Sequence, residues 1–138
     1  MRASLAAAGL VILLHAAGAL ACGYCVEDKI ASAYDHAVVS QALGRKHHVA
    51  FFHIEGAIAQ DAATRRALEG LAESVAGVDR GTARLAPATA TLSFAFDPGR
   101  SPLGAIHRSL ERKLAARRLA LAPLRIMERP AELIPTSR

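Results

Sequence analysis

The stretch HHVAFFHIEG, residues 47–56, constrains this chain more than any other. Val49, Phe51 and His53 alternate with Ala50, Phe52 and Ile54, so both faces of an extended segment carry apolar bulk. Such a strand sits inside a sheet and must be covered on both sides. Gly56 ends it, and the neighbouring segments must supply partner strands and covering layers.

Residues 57–78, AIAQDAATRRALEGLAESVAGV, have helix periodicity, with Leu68, Leu71 and Val75 as the stripe and Ala67 and Ala72 beside it. Asp61 is the candidate cap, an earlier start at Gln60 stays open, and Gly77 marks the end. DRGTARLAP (79–87) and ATATLSFAFDPG (88–99) alternate as the strands of a hairpin turning at Pro87-Ala88, with Leu92, Phe94 and Phe96 on one face. Residues 101–119 read as a second helix, capped by Ser101 and striped by Leu103, Ile106, Leu110 and Leu114. ALAPLRIME (120–128) fits an edge strand, because Pro123 lacks the donor a central strand needs.

Upstream, residues 25–43 predict one helix, with Val26, Ile30, Ala33 and Ala37 as its stripe, Glu27 and Asp28 in its first turn, and Gly44 as its stop. The order β-α-β-β-α-β then predicts an α+β, ferredoxin-like sandwich preceded by an extra N-terminal helix. That helix can close the open sheet face, extend the helical layer or pack on a partner.

The first 21 residues read as a secretory leader: Arg2, a short apolar run, and Ala19-Leu20-Ala21 before Cys22. The run is too short and alanine-rich for a membrane span of about 20 residues. The expected divisions are leader 1–21, CxxC and helix 22–46, sandwich 47–128 and flexible tail 129–138. An exported location follows, periplasmic or anchored on the periplasmic side if the source is bacterial. Losing Arg2 lowers the formal charge from +5 to about +4. The basic residues are spread out, apart from 112–118, and no aromatic residues interleave them. Nucleic acid is therefore excluded as the expected partner.

The chain resembles the heavy-metal-associated domains of copper chaperones and metal-pumping ATPases. The resemblance rests on HVAFFHIEG, on RRALEGLAESVAGVDRGTARLAPATATLSFAFDPG and on the helix from Pro102, about residues 47–127. It implies a ferredoxin-like fold, a soft-metal cargo and a metal-transport or metal-accepting protein as partner. The family carries its CxxC between the first strand and the following helix. Here that loop is GAIAQDAATR, residues 56–65. Ala59 and Ala62, or Asp61 and Thr64, fall at the two cysteine positions, so the family's metal loop does not transfer.

Both cysteines lie elsewhere, as Cys22-Gly-Tyr-Cys25. Two thiolates at this spacing can grip one Cu(I) with little help, whereas zinc needs two further ligands. His36 lies about 16 Å from Cys25 along a straight helix, out of reach. His47, His48 and His53 are the candidate additional ligands if the helix folds back over the strand. His107 has no nearby partner in sequence. Cys22 is also a candidate lipid attachment site, preceded by Ala21, although the usual leucine position holds Ala19; acylation would leave Cys25 as the one thiol. The same pair could form a plain disulfide or exchange disulfides, but a thioredoxin-like site needs a strand before its CxxC. No serine elbow, phosphate-binding glycine loop or HExxH occurs, so no catalytic group is expected. A non-catalytic interaction or structural domain, lipid-tethered if Cys22 is acylated, is the alternative to metal handling.

Overall fold

The computed structural model describes residues 25–130. The leader 1–21, Cys22 and residues 131–138 of the expected tail lie outside the described residues. Helices α1 (Val26–Ser32) and α2 (His36–Gly44) precede β1 (His48–Glu55), α3 (Ala62–Glu73), β2 (Arg84–Ala86), β3 (Thr91–Phe96), α4 (Leu103–Ala115) and β4 (Ala120–Met127). The sheet order is β2-β3-β1-β4 with every neighbouring pair antiparallel. An N-terminal helical segment therefore precedes a β-α-β-β-α-β unit with the ferredoxin-like order.

β1 is an inner strand, between β3 and β4. Ala50, Phe52 and Ile54 join Leu92, Phe94 and Phe96 under α3 and α4, where Leu68, Ala72, Ile106, Leu110 and Leu114 complete one core. The Phe52 and Phe94 rings stack there with centroids 5.7 Å apart. On the opposite face Val49, Phe51 and Ala95 pack against Ile30, Val38, Val39 and Ala42. The added helices thus close the sheet face that the β-α-β-β-α-β unit leaves open.

The single helix expected over 25–43 is two helices. Asp35 makes the break: its Oδ1 accepts from the N–H groups of Ala37 at 2.9 Å and Val38 at 3.2 Å, which starts α2 afresh. Ser93 Oγ donates to the Ala33 carbonyl at 2.8 Å, holding the end of α1 on β3. The new start rephases the stripe, so Ala37 is exposed while Val38 and Val39 are buried.

Other boundaries shift for equally local reasons. Asp61 caps α3 through the Thr64 N–H at 2.6 Å, so residues 57–60 are loop rather than helix. The hairpin turns through a 3-10 segment, Pro87–Thr89, and Ala90 at φ 49°, wider than a Pro87-Ala88 turn, and β2 shrinks to three residues. Pro102, not Ser101, precedes α4, and no side chain caps that helix. β4 is an edge strand as expected. Its register shifts between the partners of Phe51 and Phe52, beside Pro123, where the missing N–H breaks no regular ladder.

Candidate functional site

Cys25 immediately precedes α1, in extended conformation, and is exposed. Its Sγ donates to Asp28 Oδ2 at 3.1 Å, one turn into the helix. The first turn is pinned to the edge strand: the Arg125 guanidinium grips both oxygens of Glu27, with Nη1 donating to Oε2 at 3.0 Å. That hydrogen bond holds the Glu27 carboxyl below its ordinary range. At its other end α1 meets the β2–β3 turn, where Ser32 Oγ lies 2.6 Å from Thr89 Oγ1. So α1 crosses the sheet from β4 toward β3, with Cys25 at the β4 side.

The candidate histidines do not share one place. His47 precedes β1 and is held between carboxylates, its Nδ1 2.6 Å from Asp79 Oδ2 and its Nε2 3.8 Å from Asp97 Oδ2. Opposite ring nitrogens face the two acids, so the three side chains do not converge on one point. His48 sits edge-on to Phe96, centroids 5.7 Å apart, with Nε2 3.8 Å from Glu128 Oε2. It shares the strand parity of Ala50 and Phe52 and so belongs to the α3/α4 face.

His53 shares the parity of Val49 and Phe51 and so belongs to the face that α1 crosses. It pairs with Thr91 on β3 and Ala122 on β4, and its Nδ1 is buried without a hydrogen-bond partner. A buried unpaired ring nitrogen is uncommon and costly. His47 and His53 are six residues apart on one strand line, roughly 20 Å, so they cannot serve one ion.

Among the described residues, His36 and His107 stand apart from these. His36 is exposed beside Ser40, its Nε2 3.4 Å from the hydroxyl. His107 tilts against Phe52, centroids 5.1 Å apart, and its buried Nε2 lies 3.4 Å from Glu111 Oε1 without hydrogen-bond alignment. Among the described residues, no three His, Cys, Asp or Glu side chains form a group that could hold a metal ion. The β1–α3 loop offers no thiol, and its Asp61 is committed to capping.

Sequence reasoning missed the acid partners of His47. Their signal was present: Asp79 follows the stop at Gly77 and Asp97 ends β3, and the antiparallel order returns both to the start of β1.

No family model and no curated protein sequence matches the chain. Solved structures with which it shares likeness include oxidized MerP from Ralstonia metallidurans CH34, at 11% identity over 57% of this chain and 99% of that one, TM-score 0.45. Another is the N-terminal domain of a potential copper-translocating P-type ATPase from Bacillus subtilis in the Cu(I)-loaded state, at 20% identity, 60% and 94% coverage and TM-score 0.45. A third is a copper binding domain from HMA7, a P-type ATPase, at 18% identity, 57% and 96% coverage and TM-score 0.45. No residue role is carried over from them.

Proposed function

We propose that this chain binds a soft metal ion as cargo, Cu(I) before zinc, through the thiolates of Cys22 and Cys25, and hands it to a metal-transport or metal-accepting protein. The observation that carries this reading is the exposed Cys25 thiol at the start of a helix pinned to the sheet by Glu27 and Arg125. A two-coordinate thiolate site suits Cu(I) and asks for no further ligand. We take His53, whose Nδ1 is buried without a hydrogen-bond partner, as the candidate third donor. The role proposed is transfer of the ion without catalysis.

The setting proposed is export: leader removal before Cys22 leaves that residue first in the mature chain. Mass spectrometry of the exported protein, paired with Cu(I) competition against a chromogenic chelator under reducing conditions, tests both parts. A free Cys22 and one Cu(I) bound per chain, lost in Cys25→Ser, is the expected result. A reduced, unmodified protein that takes up no Cu(I) would overturn the metal reading.

A second reading is a lipid-tethered interaction domain. The thiol-free β1–α3 loop favours it, since Asp61 there serves only as a helix cap. A diacyl adduct on Cys22 in the same mass spectrum would select it over the two-thiolate site.

A further inference from the structure

A groove of about 740 Å³ runs between α2 and the turn joining α3 to β2. Arg45 from the end of α2, Arg80 from the turn, Arg84 from β2 and Arg100 from the loop after β3 line it, together with Glu73 and Asp79. Both carboxylates are engaged from within the fold. Glu73 Oε1 accepts the Ala83 N–H at 3.1 Å, and Asp79 Oδ2 lies 2.6 Å from His47 Nδ1. Arg84 is engaged as well: its Nε donates to Asp35 Oδ2 at 2.9 Å and its Nη1 to the carbonyls of Gly81 and Ala83.

Arg45, Arg80 and Arg100 are left. All three are exposed, and among the described residues none forms an ion pair. Three guanidiniums from three separate elements share one concavity without a counter-charge of their own, and like charges so placed repel. We propose that this groove is an anion site that takes a small, multivalent ligand of the phosphate class.

Four features select that chemistry. The volume falls in the range of small-molecule pockets, about 300–1,000 Å³. Guanidinium forks match phosphate oxygens in shape and charge. The two carboxylates on the walls weaken attraction for a singly charged anion, so the ligand has to carry more than one negative charge. No aromatic side chain lines the groove, which removes the platform a nucleobase would stack on. The site owes one wall to α2, so the β-α-β-β-α-β unit alone would lack it. It involves neither cysteine, and its failure would leave the metal reading untouched.

The test is backbone-amide NMR of the full chain titrated with sodium pyrophosphate at ionic strength matched by sodium chloride. Saturable shifts confined to Arg45, Arg80, Gly81, Arg100 and their neighbours are expected. Arg80→Gln and Arg100→Gln should each weaken binding about tenfold without lowering the melting temperature. Shifts that fail to saturate, that sodium chloride reproduces, or that the variants leave unchanged would overturn the site. A parallel arm uses phosphatidylglycerol vesicles. Vesicle binding competed by pyrophosphate assigns the phosphate to a lipid headgroup, and pyrophosphate binding with inert vesicles assigns it to a soluble ligand.

Discussion

Arg84 Nε donates to Asp35 Oδ2 at 2.9 Å, tying the edge strand β2 to the residue that starts α2. The same carboxylate accepts the N–H groups of Ala37 and Val38. One side chain therefore begins α2 and fastens it to the sheet.

Asp35→Ala should cost about 1–2 kcal/mol, in the upper range for losing an N-cap, as measured by urea unfolding at pH 7. The pH dependence follows from the same contacts. Hydrogen bonds from the Val38 N–H and then from Arg84 hold the Asp35 carboxyl below its ordinary 3.8. Its contribution is complete above that value and is lost as pH falls through the lower folded-state value. Asp35→Asn should flatten the acid limb of the stability profile below about pH 4, and an unchanged limb would refute the assignment.

Two glycines should respond in opposite directions. Gly77 adopts φ +97°, and a Cβ there would collide with Ser101 Cβ and lie 2.5 Å from its Oγ. Gly77→Ala should destabilise the fold by roughly 2 kcal/mol or more, from strain and clash together. Gly70, near the end of α3, would place a Cβ in open space. Gly70→Ala should stabilise by about 0.5–1 kcal/mol through helix propensity. Thermal unfolding of the pair checks both signs.

Phe51 and Phe52 are adjacent, each 1% exposed, and sit in different cores. If the α1–α2 layer is an integral wall, Phe51→Ala and Phe52→Ala should each cost about 3–5 kcal/mol. A much smaller loss for Phe51→Ala in denaturant titrations would mean that the added layer is loosely attached.

The histidines should separate in metal assays. His53→Gln should weaken Cu(I) binding, because it removes the unpaired nitrogen on the face that α1 crosses. His47→Gln should leave it unchanged, because that ring is already held between Asp79 and Asp97. Chelator competition on both variants reads the difference, and an equal effect from the two would discard His53 as a ligand.

Much of this is legible in the sequence. The two-sided apolar pattern of 47–56 predicts an inner strand, and β1 is one. Pro123 predicts an edge strand, and β4 is one. Of the two predicted stripes, Leu68, Val75, Ile106, Leu110 and Leu114 are buried, with Ala72 beside them, whereas Leu71 and Leu103 are half-buried at the edge of that core and Ala67 is exposed. The break at Asp35 was harder to see. Asp-His within a periodic segment looks like a polar face of one helix until Arg84 and Ser93, distant in sequence, are known to hold that spot.

From β1 onward, element type and order were settled by the sequence itself, because alternation and the 3.6-residue period are local properties of the chain. The absence of thiols from the β1–α3 loop was equally a matter of sequence. Only tertiary structure decided which sheet face α1 and α2 cover, that His53 Nδ1 is buried without a partner, and that Arg45, Arg80 and Arg100 share one groove. Those outcomes depend on side chains that come together across dozens of residues, where burial and charge pairing act in space and leave no periodic trace along the chain.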